Sequence, residues 1–213
     1  MSNGNRKTRV VKEYEERKRE ITDTAARMFI QKGYERCSVN EIISEVGIAK
    51  GTFYHYFKTK EEVLDAVIEK FTEKIRKKAE KIADDSSLEP QDKLIGIFFS
   101  MNIEEEIGDK LISDMHKPEN ALMHQKSLSS AIETLTPILV KAVEEGIREK
   151  VFSCLYPKQY MQIFLASAIT LTDKGIFDVD DLEEEKFIKG MISLLEKMLD
   201  TKEGEFLRRI EKV

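Results

Sequence analysis

The sequence predicts an all-α fold, and two observations carry that reading. Apolar residues recur at helical spacing along most of the 213 residues, with no alternating run that would mark a strand. The chain also holds only 4 prolines and 10 glycines, so long helices meet few breakers. A third observation divides the chain. Residues 1–81 carry 19 Lys+Arg against 14 Asp+Glu, whereas residues 82–213 carry 16 against 26. A basic front on a chain of net charge −5 points to a front part that meets a polyanion.

The first helix is marked by Ile21, Ala25, Met28 and Phe29 on one face and ends at Gly33 after Lys32, a fitting glycine stop. The stretch before it, residues 1–17, reads as a basic tail, in part helical, whose Arg6, Lys7, Arg9 and Lys12 suit a phosphate or the minor groove, with a disordered solubilising tail as the equal alternative. Ser38 with Glu41 makes a capping box that opens a short second helix, with Ile42, Ile43 and Val46 inside and Gly47 as its stop. A third helix begins near Lys50 or Gly51 and runs to about Phe57. Thr59 caps a long fourth one, with Glu62 at the capping-box position. The break IADDSSLEPQD at 82–92 sets a domain boundary. Beyond it the pattern predicts helices from Pro90 to Met101, over 119–149 with a kink or break at Pro137, from Pro157 to about Gly175, and over 181–200. Residues 103–117 are less regular.

The turn Gly47-Ile48-Ala49 between the second and third helices makes a helix-turn-helix, whose second helix enters the DNA major groove. In the third helix, Phe53 and Phe57 stand four apart and face inward, leaving Tyr54, His55 and Tyr56 outward. Their polar groups suit phosphates and base edges, Gly51 admits close approach, and Lys58 and Lys60 carry charge to flanking phosphates.

The segment from Ile21 to Phe71 resembles the N-terminal domain of the TetR family of transcriptional regulators. The motifs that carry the likeness are F-x-x-x-G-Y at Phe29–Tyr34 and SVNEIISEVGIAKGTFYHYFKTKEEVL at Ser38–Leu64. The resemblance implies an N-terminal three-helix helix-turn-helix DNA-binding domain followed by a larger helical ligand-binding and dimerisation domain. With the boundaries read above, residues 18–81 form the first and 82–213 the second. It further implies that Ser38, Tyr54, Tyr56 and Lys60 meet phosphates, and that Asn40, Lys50, Gly51, Thr52 and His55 reach bases or sugars. The implied partners are a palindromic double-stranded operator, a second copy of the chain, and an unidentified small molecule. Release of a repressor by a small, largely apolar effector is the commoner family outcome, with activation or effector-free binding as the alternative.

The second domain holds candidates for both of its implied tasks. Phe164, Ala168, Leu171, Phe187, Met191, Leu194, Leu195 and Met198 spread too widely around the last two helices for one contact and are assigned to a dimer interface. Phe98, Met101, Asn102, Met115, His116, Met123, His124, Thr170 and Asp173 mix soft apolar and polar groups and are assigned to an effector pocket. His116 and His124 would share a face of a continuous helix and bind a metal with Asp114 or Asp173. Pro118 interrupts that helix, so no metal is assigned, and no cofactor. Phosphate-loop, nucleophile-elbow, zinc-protease and dinucleotide motifs are missing, so no enzyme is read. No apolar run approaches the roughly 18 residues of a membrane span. The N-terminus lacks the apolar core of a signal peptide, so the expected place is the cytoplasm without membrane contact. Cys37 and Cys154, without metal or redox spacing, are expected reduced.

Overall fold

The structure is a computed structural model. It describes residues 3–100, 114–173, 175–177 and 180–210, with backbone alone over 3–12 and at 181. All regular structure among the described residues is helical: α1 (Asn3–Lys32), α2 (Val39–Val46), α3 (Lys50–Tyr56), α4 (Lys60–Ala83), α5 (Pro90–Phe99), a 3-10 turn (Pro118–Asn120), α6 (Ala121–Arg148), α7 (Pro157–Leu171), α8 (Asp181–Met198) and α9 (Glu205–Ile210). The chain divides into two compact units, Met1–Phe71 with Lys110–Lys126, and Thr72–Asp109 with Ser127–Val213.

The first unit is built around the apolar face of α1. Ile21, Ala25 and Phe29 are fully buried and meet Ile42 of α2, Phe53 of α3 and Val63, Leu64 and Val67 of α4, all equally buried. α1 stops where Gly33 takes φ +92°, and its N–H still closes onto the Phe29 carbonyl at 2.8 Å. The basic stretch over residues 3–17 is the N-terminal half of α1 and not a separate tail. Its Lys, Arg and Glu content favours helix. α2 is cut by Gly47 at φ +73°, a left-handed stop.

This unit also contains a segment remote in sequence. Met123 is fully buried in its core, and Asn120 is buried to 0% exposure between Tyr34 and Asp114. A Cβ on Gly33 would stand 2.5 Å from the Glu119 Cβ, so the close approach there requires the glycine. The division therefore falls within α4 after Phe71 and returns 110–126 to the first unit, where the sequence reading drew one boundary at 82–92.

The second unit packs α5, α7, α8 and α9 with the C-terminal part of α4 and most of α6. Its core includes Ala79, Ile97, Leu135, Ala142, Val143, Met161, Leu165 and Leu199, all fully buried. α6 runs unbroken through Pro137, where the sequence predicts a kink or break. Proline removes the N–H that would reach the Glu133 carbonyl, but Pro137 and Glu133 are both exposed, so that carbonyl lies on the water side of the helix. α9 has no counterpart in the sequence reading. The buried Glu196 carboxylate accepts the Gly204 and Phe206 N–H groups at 2.8 and 2.9 Å and so holds its start. Arg209 fixes its end to Asp92 and Glu89 of the α5 region.

Candidate nucleic-acid interface

The pair α2 and α3 owes its geometry to three local devices. The first is the Ser38 cap. Its hydroxyl accepts the Glu41 N–H at 3.2 Å, while the Glu41 carboxylate accepts the Ser38 N–H and hydroxyl, both at 2.8 Å. The Ser38 backbone bond, then its hydroxyl, then Lys32 hold the Glu41 carboxyl at about 2, well below the usual carboxylate range. A carboxyl whose folded pKa is depressed stabilises above its unfolded pKa and loses that contribution as pH falls through the folded one. The α2 cap is thus expected to loosen between the ordinary carboxylate range and pH 2. Ser38→Ala should return the Glu41 titration toward its ordinary value, read by carboxyl-carbon NMR; an unmoved titration would remove the cap from the explanation.

The second device is the inward ring pair of α3. Phe53 is fully buried and Phe57 is 3% exposed, their centroids 6.1 Å apart. They pin the helix so that Lys50, Gly51, Thr52, Tyr54 and His55 are exposed. Tyr56 is half-buried instead, because the longer α1 brings the Tyr14 ring to 4.6 Å from it. The third is the lysine set at the end of α3. Lys58 donates to the Tyr54 carbonyl at 2.8 Å and caps the helix. Lys60 donates to the Tyr34 carbonyl at 2.9 Å, with its ammonium 4.2 Å from the Tyr34 ring centroid. Thr59 accepts the Glu62 N–H at 3.1 Å and starts α4, while the Glu62 carboxylate accepts the Lys58 N–H.

Against this geometry two family models match. Residues 21–67 match the model described as bacterial regulatory proteins, tetR family, and residues 106–189 match the tetracyclin repressor-like C-terminal domain. The chain belongs to the TetR family. The HTH-type transcriptional repressor KstR2 of Mycolicibacterium smegmatis is 32% identical over 84 residues, 39% of this chain and 40% of that protein. The uncharacterized HTH-type transcriptional regulator YerO of Bacillus subtilis is 30% identical over 124 residues, 56% of this chain and 43% of that one. The chain thus spans less than half the length of these curated relatives. The crystal structure of RolR with resorcinol shares the fold, with a TM-score of 0.63 at 16% identity, covering 92% of this chain and 93% of that one.

Within this TetR-family chain the expected groups are distributed as follows. Ser38, Asn40, Lys50, Gly51, Thr52, Tyr54 and His55 are exposed on α2, α3 and their caps, whereas Tyr56 and Lys60 are half-buried. The expected pocket residues do not come together in one unit. Met115, His116, Met123 and His124 belong to the first unit, with Met123 used up in its core. Met101 and Asn102 lie outside the described residues. Thr170 is on α7, and Asp173 follows it, accepting the Ile176 and Phe177 N–H groups at 2.9 Å.

Among the expected pocket residues that are described, Phe98 alone lines an apolar cavity of the second unit, a space of about 30 Å³. Its other walls include Phe164, Met191 and Leu195, three of the expected interface residues, which with Ala168 are buried in this unit's own core. Phe187 and Met198 are half-buried against that core, and Leu171 and Leu194 remain exposed at 37% and 39%. Ile163 and Leu182, which the sequence reading does not single out, are exposed at 53% and 61%. Cys37 is 1% exposed, and burial pushes its thiol up. That favours the protonated, unreactive form. Among the described residues, no helix is long and apolar enough to cross a membrane.

Proposed function

We propose that this chain is a cytoplasmic, DNA-binding transcriptional regulator that acts as a homodimer, most simply a repressor released from a palindromic operator by a small, largely apolar effector. The observation that carries the reading is the outer face of α3. Lys50, Gly51, Thr52, Tyr54 and His55 are all exposed on one short helix whose inward face is already filled by Phe53. Gly51 is the telling member. A Cβ there would meet nothing within 4 Å, so the fold itself has no use for a glycine in this helix. A residue that lowers helix propensity without an internal reason fits a backbone approached closely from outside.

A second copy would pair through the outer faces of α7 and α8, where Ile163, Leu171, Leu182 and Leu194 leave apolar surface. The relative described as a repressor supports that mode of action. The cavity supports the class of effector. It is lined by apolar side chains and has room for about two or three water-sized spheres, so it suits an apolar group that opens it further.

The test is an equilibrium titration with the DNA flanking the protein's own gene, repeated across salt concentrations. Affinity is expected to fall steeply with salt, and Lys60→Ala to flatten the slope by about one ion. Gly51→Ala is expected to weaken DNA binding without lowering the unfolding temperature. Binding that ignores salt, or Gly51→Ala DNA affinity equal to that of the parent, would overturn the reading.

A further inference from the structure

The first unit brings together two imidazoles that the helix-turn-helix does not use. His116 precedes the 3-10 turn Pro118–Asn120, and His124 lies in the first turn of α6. The turn replaces the continuous helix that the spacing of eight would have needed, and it brings the rings closer than a straight helix would. Eight residues along an α-helix rise about 12 Å, whereas the two ring centroids stand 4.9 Å apart. Nitrogen donors of the two rings lie within 4.8 Å of one another. Two imidazole nitrogens on one tetrahedral Zn²⁺ stand about 3.3 Å apart, given metal–nitrogen distances of about 2.0–2.1 Å. A small rotation of two half-buried side chains covers the difference.

The backbone beneath the pair is held firmly. Asn120, fully buried, accepts the Tyr34 N–H at 2.7 Å and donates to the Asp114 carbonyl at 2.8 Å. Its own N–H closes the turn onto the Lys117 carbonyl at 2.8 Å. Met123, beside His124, is locked in the core, and the Glu119 carbonyl accepts the Glu35 N–H at 3.1 Å. Both histidines therefore project from a frame fixed by these five contacts, and preorganisation of that kind lets two ligands act as a chelate.

We propose that His116 and His124 form a two-histidine site for a borderline divalent transition ion such as Zn²⁺ or Ni²⁺. Imidazole nitrogens select such ions over Mg²⁺ and Ca²⁺, which prefer oxygen. The ion bridges the two ends of the turn and so fastens this segment within the unit that carries α2 and α3.

The chain has three histidines, which supplies an internal control. His55 lies on the exposed face of α3, near Tyr14 and Tyr56. Zn²⁺ titrated into the full chain, followed by imidazole proton NMR, should move the His116 and His124 resonances together and leave His55 in place. Calorimetric Zn²⁺ affinity should fall by about tenfold or more in His116→Gln and in His124→Gln, the scale seen even for loss of a ligand's supporting partner. His55→Gln should not change it. Zn²⁺ should also raise the unfolding temperature of the parent chain by mass action, and not that of the double variant. Equal shifts at all three histidines, or affinity unchanged in both single variants, would overturn the site. The NMR arm needs no variant, so a substitution that unfolds the chain does not blunt the test.

Discussion

Glu145→Ala is expected to destabilise the second unit by about 3–5 kcal/mol, the cost of stranding a buried charge. The charge is Lys93, whose side chain is only 3% exposed. Its ammonium donates to both oxygens of Glu145 at 2.6 and 2.7 Å. The pair sits between α5 and α6, beside Leu94 and Ile97 on one helix and Ala142 and Val143 on the other, all buried. Removing one partner and removing both must differ in outcome. A well-packed apolar pair in place of a buried ion pair is commonly neutral or stabilising, so Lys93→Met with Glu145→Leu should recover most of the loss. Urea unfolding of the four chains of this cycle gives the coupling directly. A cost under about 1 kcal/mol for Glu145→Ala would mean that the ammonium swings out to water, since exposed pairs contribute no more than that.

A buried lysine is also where sequence reasoning loses its grip on this fold. Periodicity places apolar residues inward, and it does so correctly for Ile21, Ala25, Phe29, Phe53 and Phe57. Local chemistry is equally legible: the Ser38 box, the Gly47 stop and the Thr59 cap are each written within four residues of the atoms they join. What lies beyond that range is not. α9 is six residues with charges at both ends, too short to stand by propensity. It exists because Phe206 is buried and Glu196 accepts its first N–H groups. Phe164, Ala168, Met191 and Leu195 read as surplus apolar surface, yet spacing cannot tell a subunit's own core from a partner's. Met115 and Met123 look like pocket walls because methionine fits irregular spaces, and the space they fill is the core of the first unit. The exposed face of α3 was legible for a different reason. It departs from core logic, with polar rings and a glycine where the fold asks for neither.

Asn120→Ala is expected to cost about 1.5–4.5 kcal/mol: about 1–3 for the Tyr34 N–H left unsatisfied, and about 0.5–1.5 for the lost bond to the Asp114 carbonyl, which keeps the Lys117 N–H at 3.4 Å. The Tyr34 N–H loses the Asn120 Oδ1 acceptor and the Asp114 carbonyl loses the Nδ2 donor. Asn120 is 0% exposed, and a methyl in its place fills neither role. The effect should be local before it is global. Hydrogen exchange at the Tyr34 amide should accelerate well beyond that of the Phe29 and Ile42 amides, which lie in helices of the same unit. An unchanged Tyr34 exchange rate and an unchanged unfolding free energy together would show that the link is idle. The same residue carries the prediction to the candidate interface. Tyr34 receives Asn120 on its N–H and offers its carbonyl to Lys60, so one residue of backbone joins segment 114–126 to the lysine expected to meet a phosphate. If that lysine contacts DNA as proposed, Asn120→Ala weakens operator binding from a position buried beneath the surface. Lys60→Ala leaves Tyr34 exchange nearly unchanged. The two variants therefore separate a lysine that binds from an asparagine that places it.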